Sequence, residues 1–269
     1  MEIYGFDAFS PAEIAEKVEK VGVAKARLPL LKMWMLGILA GAFIGLGALY
    51  FVIVQSDASL GFAASRLLGG LVFSLGLLLV VVAGAELFTG NNLLAMAWAD
   101  GKISSYELLR NWVVVSTANF VGAAGLALLV WLSGHTDMHG GKVAETVVKI
   151  AAAKCAAPAA ELFWKGVLCN ILVCMAVWMA LAGRSVIDKF IAIVPPISAF
   201  VAAGFEHSIA NMYLIPLGLL LKSTANPAIP HLTDLTLPHL VTNLAPVIAG
   251  NLIGGSVLVA GVYFVIYRR

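Results

Sequence analysis

Two glutamates lie inside stretches of chain that are otherwise apolar. Gly84-Ala85-Glu86-Leu87-Phe88-Thr89-Gly90-Asn91 interrupts one long hydrophobic run, and Gly204-Phe205-Glu206-His207-Ser208-Ile209-Ala210-Asn211 interrupts another. Both read Gly-x-Glu-x4-Asn, 120 residues apart (204 − 84). A carboxylate at the centre of a membrane span costs ~2.5–3.5 kcal/mol or more on insertion scales, so its presence needs a reason. Glu86 and Glu206 have three candidate roles: binding a cation, relaying protons, or accepting hydrogen bonds from unwound backbone. Repetition at equivalent places favours the last, a brace in which Glu86, Asn91, Glu206 and Asn211 hold two breaks. His207 is different, because Leu87 holds its place in the first break. A titratable ring on one side of a repeat points to a pore position, since histidine changes charge near neutral pH. Thr89 in the opposite break has a hydroxyl that can reach it. Lys154 is either a solvated lysine or an anion attractor at a pore entrance. Asn170, polar within an apolar run, either links helices or faces His207.

These residues must be held by membrane spans. Mean hydropathy is +0.96. The chain is 61% hydrophobic and 12% charged, whereas soluble domains carry about 25% charged residues. The fold class is therefore an all-α polytopic membrane protein. With about 20 apolar residues per span, six spans are read: 33–54, 67–99 with its break at 84–92, 112–132, 162–182, 190–221 with its break at 204–211, and 240–267. Paired breaks in the two halves of a membrane chain mark a central transport site. A second repeat agrees: Asn111-x7-Asn119-x2-Gly122 matches Asn243-x7-Asn251-x2-Gly254 at an offset of 132 (243 − 111). Three spans followed by three spans make the repeat inverted, over about 33–133 and 161–267. Residues 33–269 form the channel domain. Residues 1–32 precede it as a cytoplasmic segment with an amphipathic helix at 10–27, started by Ser10-Pro11-Ala12-Glu13, with Ile14, Val18, Val21 and Ala24 on one face. No short apolar core precedes a small-residue cleavage site there, which argues against a cleaved signal peptide.

Eleven of the seventeen Lys and Arg residues fall on the side that holds Lys17 to Lys32, Lys102, Arg110, Arg184, Lys189, Arg268 and Arg269. Positive residues stay inside, so both termini are expected in the cytoplasm, with the chain in the inner (cytoplasmic) membrane. The three cysteines, Cys155, Cys169 and Cys174, read as packing residues. Gly37, Gly41 and Gly45, and Gly69, Gly70 and Gly76, read as sites of close helix approach. No metal or other cofactor is expected, and no nucleic acid. Glu206 and His207 are adjacent and would point about 100° apart on a helix, and the other histidines lie in loops or at span ends. An intramembrane enzyme is disfavoured on that ground. A neutral-solute channel of similar architecture would carry paired Asn-Pro-Ala boxes in the two breaks, and these are absent.

The chain resembles the formate–nitrite transporter family over almost its whole length. The motifs that carry the resemblance are the Gly84–Asn91 segment, Lys165-Gly166-Val167-Leu168-Cys169-Asn170, and Phe205-Glu206-His207-Ser208-Ile209-Ala210-Asn211-Met212. The resemblance implies an aquaporin-like fold, a homopentamer with one pore per protomer, a flexible break in span two and a tighter one in span five. It implies that His207 is the central histidine with Thr89 and Asn170 as its companions, and that Lys154 is the vestibule lysine. It places Phe73 and Phe200 at an outer constriction, and Leu77, Leu87, Phe88 and Val173 along the inner side. The expected substrates are small monovalent weak-acid anions, most of all formate, passing the central histidine as the anion or as the neutral acid, by a passive or a proton-coupled route. Nitrite and hydrosulfide are the alternatives for the same pore. Gly183-Arg184-Ser185 and Tyr263-Phe264-Val265-Ile266-Tyr267 lean toward formate channels, while Glu86, where enterobacterial formate channels have aspartate, leans toward nitrite or archaeal-type members. In the implied mechanism, positive charge collects anions, apolar rings stop them because desolvating a carboxylate is expensive, and protonation lets the neutral acid pass. His207 either supplies the proton or stays neutral while the low-dielectric surroundings raise the substrate's pKa.

Overall fold

The computed structural model describes residues 8–269; the first seven residues of the N-terminal segment lie outside them. Helix α1 spans Pro11–Ala26, α2 Leu30–Gln55, and α3 Phe62–Gly84, the last ending in a wide π turn. After the first break come α4 (Leu94–Ala99), α5 (Ser105–Leu132), α6 (Lys142–Ala156) and α7 (Ala159–Ala182). Helix α8 (Val186–Ala203) is followed by the second break, α9 (Ser208–Leu221) and α10 (Leu237–Tyr267). Six of these, α2, α3, α5, α7, α8 and α10, are long and apolar enough to cross a membrane. The chain is a multi-pass membrane protein.

Five of the six spans begin three to five residues before the apolar run does, and α5 begins seven before; α5, α8 and α10 start on first turns capped by Ser104, Ser185 and Thr236. Ser104 accepts from Glu107 N–H while the Glu107 carboxylate accepts from Ser104, and Ser185 with Asp188 repeats the motif on α8. Such reciprocal caps satisfy N–H groups that a helix start leaves free. Ser10 and Glu13 do the same for α1. The buried face of α1 carries Ile14, Ala15, Val18, Glu19, Gly22 and Ala26. Val21 and Ala24, expected on that face, instead line a cavity beneath the helix. Buried Glu19 accepts from Lys102 and Arg268, which fastens α1 to the α4–α5 turn and to the C-terminal end of α10.

Both breaks follow a glycine in the left-handed region, Gly84 (φ +87°) and Gly204 (φ +73°), where other residues are strained. The first break is non-helical over 85–87, with Ala85 extended, and turns at 88–89 into the tight 3-10 segment Gly90–Leu93. The second is shorter than the sequence suggested: only 204–207 is non-helical, and Asn211 sits one turn inside α9. The reason is a cap. His207 Nδ1 accepts from Ala210 N–H at 3.2 Å, so the helix can start at Ser208.

Between spans there is no hydrophobic drive in lipid, and packing relies on small residues that let backbones approach. A Cβ on Gly41 would stand 2.0 Å from Asn119 O, and one on Gly122 1.9 Å from Ile38 O, so α2 and α5 touch backbone to backbone. Gly250 and Gly254 do the same for α10 against α7, with 2.2 Å to Phe163 O and 2.3 Å to Val167 O.

Candidate functional site

The two halves carry matching sets of hydrogen bonds. Asn119 Nδ2 donates to Gly37 O (2.7 Å) and Glu86 O (2.9 Å), and its Oδ1 accepts from Phe88 N–H (2.9 Å). Asn251 Nδ2 donates to Gly166 O (2.8 Å) and Glu206 O (3.0 Å), and its Oδ1 accepts from Ser208 N–H (3.0 Å). Glu86 N–H donates to Leu36 O, and Glu206 N–H to Lys165 O. These two asparagines and the neighbouring spans thus take up the N–H groups of Glu86, Phe88, Glu206 and Ser208 and the carbonyls of Glu86 and Glu206. The carboxylates, expected to take backbone donors, take side chains instead. Glu86 accepts from Asn91 Nδ2 (2.7 Å) and pairs with Lys25 (3.0 Å). Glu206 accepts from Asn211 Nδ2 (2.7 Å) and pairs with Lys154 through both oxygens (2.9 and 2.8 Å). Asn91 also reaches Asn111 Oδ1 (3.0 Å), and Asn211 reaches Asn243 Oδ1 (2.9 Å). Asn111 donates on to Lys25 O, and Asn243 to Lys154 O.

Lys25 therefore corresponds to Lys154, 129 residues later (154 − 25), and α1 corresponds to α6. Pro29 and Pro158, each just ahead of its span, keep the same offset (158 − 29). Sequence reading missed Lys25 as a site residue and took α6 for connecting chain. A signal existed: Val143, Val147, Ala151 and Cys155 recur every four residues, and all are buried.

Two cavities meet this scaffold from opposite ends of α2. One, about 690 Å³ and called outer from the orientation expected of the positive residues, is lined by Phe51, Gln55, Phe73, Phe200 and His207, with Lys154 and Glu206 in its wall. The second, about 470 Å³, lies under α1 beside Lys25, Lys32 and Leu36, and is lined by Glu86, Leu77 and Leu87. They share no lining residue. Lys25 and Lys154 lie in opposite cavities, so the two halves are inverted. Phe73 and Phe200 meet edge to face at 5.6 Å, and Phe200 stacks on the His207 ring at 5.8 Å. Phe88 and Val173 are packed in the core and line neither cavity.

Between the cavities sits a buried polar cluster. Thr89 Oγ1 is 3.0 Å from His207 Nε2. Asn170 Nδ2 donates to Thr89 O (3.2 Å), Asn92 Oδ1 (2.7 Å) and Asn251 O (2.7 Å), and does not touch the His207 ring. Asn92, absent from the residues picked out in the sequence, is tied back to Phe88 O. The Lys154 ammonium, partly exposed to the cavity, is held by Glu206 and is not free. The N–H groups of Ser208 and Ala210, which an anion would seek at a helix start, already have Asn251 and His207 as acceptors.

The sequence model for "Formate/nitrite transporter" matches residues 12–265. The chain is 41% identical over 274 residues to the formate channel FocA of Escherichia coli K12, covering 98% of this chain and 96% of that one. A solved structure described as a pentameric formate channel with formate bound superposes with a TM-score of 0.81 at 37% identity, covering 89% of this chain and 98% of that one. A second, an FNT family ion channel, gives 0.84 at 33% identity, covering 94% and 98%.

Proposed function

The chain belongs to the formate/nitrite transporter family, and from that premise we propose that it carries formate across the cytoplasmic membrane, assembled as a homopentamer with one pathway per protomer. The observation that carries the reading is the arrangement of two cavities on opposite sides of a plug, in which apolar side chains surround the buried His207–Thr89 pair. Phe73 and Phe200 form the outer constriction, Leu77 and Leu87 the inner one. A carboxylate does not cross such a plug as an ion, because no donor set replaces its water. The neutral acid crosses readily. The bracing groups Glu86, Asn91, Glu206 and Asn211 keep the breaks open, and Lys154, with its charge largely taken by Glu206, tunes the outer wall. Nitrite or hydrosulfide by the same pore is the alternative. Both termini face the cytoplasm on the count of positive residues. In the division of the chain, α1 acts as the first helix of the first repeat.

The His207 ring works as a neutral donor in this reading. A backbone N–H can only donate, so Ala210 fixes Nδ1 as an acceptor. The neutral ring then carries its hydrogen on Nε2 and gives it to Thr89 Oγ1. The Thr89 hydroxyl is left with a hydrogen to offer an arriving oxygen. Charging the ring would put a second hydrogen on Nδ1, against the Ala210 N–H, and would remove the cap of α9. The proton that accompanies the substrate therefore comes from cavity water, as the low-dielectric plug favours the neutral acid.

The test is formate influx into proteoliposomes from about pH 5 to 8, with internal pH followed alongside; histidine and weak-acid titration fall in or near that window. Formate and protons should enter one to one. Formate without protons would replace this reading with an anion channel. No formate influx at any pH would move the assignment to nitrite or hydrosulfide in the same assay.

A further inference from the structure

The outer cavity is lined by three cations, Arg66, Lys154 and Lys165, and three carboxylates, Asp57, Glu161 and Glu206. Two of the cations are already matched. Lys154 is held by Glu206 at 2.8 Å, and Lys165 pairs with Glu161 one turn away on α7. Asp57 turns its carboxylate to Ser59 N–H at 2.8 Å and does not reach Arg66. Arg66 differs from the lysines: among the described residues its guanidinium makes no ion pair and no hydrogen bond, and only the Phe62 ring lies against it, 5.6 Å away. Both terminal nitrogens stand 3.9 Å from where a Cβ on Gly204 would lie. The group therefore faces the start of the second break, directly ahead of Phe205-Glu206-His207. Its simplest structural duty would be to cap the carbonyl end of α8, and none of its five N–H groups does so.

An unused planar fork beside an open cavity suits one class of ligand. Guanidinium binds a carboxylate-shaped anion through two parallel N–H···O bonds, which a lysine ammonium does not reproduce. We infer that Arg66 is the docking residue of the outer cavity for planar two-oxygen monovalent anions, and that it favours these over single-atom anions. This rests on the transport reading above. Gly204 contributes by having no side chain in front of the fork.

The experiment compares wild type, Arg66→Lys and Arg66→Gln as assembled protein in liposomes, with formate and with hydrosulfide. A bidentate pair reduced to a point charge should raise the half-saturating formate concentration about ten-fold in Arg66→Lys, with a smaller change for hydrosulfide. Arg66→Gln should raise both. Unchanged half-saturation for formate in both variants overturns the inference, and so does an equal shift of formate and hydrosulfide in Arg66→Lys. A second readout separates docking from transport: line broadening of carbon-13 formate by the detergent-solubilised protein. Broadening that is lost in Arg66→Gln supports docking even if the wild type moves no formate, an outcome that would sink only the transport reading. Equal broadening by wild type and Arg66→Gln overturns the docking.

Discussion

Removing the Lys154 ammonium tests whether the outer lysine is first a structural partner or a free attractor of anions. Glu206 is 7% exposed. Its carboxylate has three close donor contacts: two from Lys154 Nζ and one from Asn211 Nδ2. In Lys154→Met it keeps the amide alone, as a carboxylate with no countercharge. Breaking one partner of a buried pair costs ~3–5 kcal/mol, because the survivor is left uncompensated. Cavity water reaches Glu206 from one side, so about 3 kcal/mol is expected here. Lys154→Met with Glu206→Gln removes both charges together and should return the stability to within about 1 kcal/mol of wild type. The assay is unfolding in mixed micelles by rising denaturing detergent, run on all four members of the cycle, with formate flux measured on the same preparations. A single variant as stable as wild type would refute the argument. So would a double variant no better than the single one. The matched pair Lys25 and Glu86 should show the same pattern with a smaller loss, since Lys25 is more exposed, meets one Glu86 oxygen at 3.0 Å and also donates to Asn91 Oδ1.

Three further outcomes follow from the hydrogen bonds. His207→Asn keeps a good helix cap and loses the Nε2 donor, so flux should fall by about two- to ten-fold, the worth of one neutral hydrogen bond, with the pH of half-maximal flux unmoved; a displacement of one pH unit or more would restore His207 as the proton carrier. Asn119→Leu and Asn251→Leu each strip three bonds from buried backbone, so each should lower stability in the micelle assay by about 3 kcal/mol or more, and a mild effect in either would show that the breaks are braced elsewhere. Helix α1 should depend on acid: the Ser10 backbone N–H and hydroxyl hold the Glu13 carboxyl below its ordinary value of 4.5, so the cap's contribution is present above that value and lost as pH falls through the lowered one. Amide exchange in the first turn of α1, corrected for its intrinsic rate, should be flat from about pH 5 to 8 and rise only in stronger acid.

The breaks, the six spans and the inversion were legible because apolar length and interrupting glycines are local signals. The partners of the carboxylates were not. Corresponding elements sit 129 residues apart at Lys25 and Lys154, 120 at Glu86 and Glu206, and 132 at Asn119 and Asn251. No single period therefore aligns lysine, glutamate and asparagine, although one network joins them in each half. Lys25 also lies in a stretch whose positive charges were fully accounted for by membrane orientation. The short second break escaped notice because a histidine cap is rare beside the usual Ser, Thr, Asp or Asn, so nothing local marked Ser208 as a helix start.

The same correspondence separates scaffold from site. Lys25, Glu86, Asn91, Asn111 and Asn119 have like residues as their mates. Of the buried polar residues that do not, four lie together. His207 answers to Leu87, and Thr89 to Ile209, at the 120 offset; Asn92 answers to Met212 at the same offset, and Asn170 to Gly41 at 129. A polar side chain buried in a membrane protein is expensive to place, and a fold that closes with Leu, Ile, Met and Gly at the mirrored positions has no architectural need of it. Yet these four are joined to one another: His207 to Thr89 by their side chains, and Asn170 to both Thr89 O and Asn92 Oδ1. Two come from the first break and two from the second half, so they meet only where the inverted repeats face each other, between the two cavities. The symmetric residues explain why the protein holds its shape, and the asymmetric ones form the junction through which the proposed pathway runs.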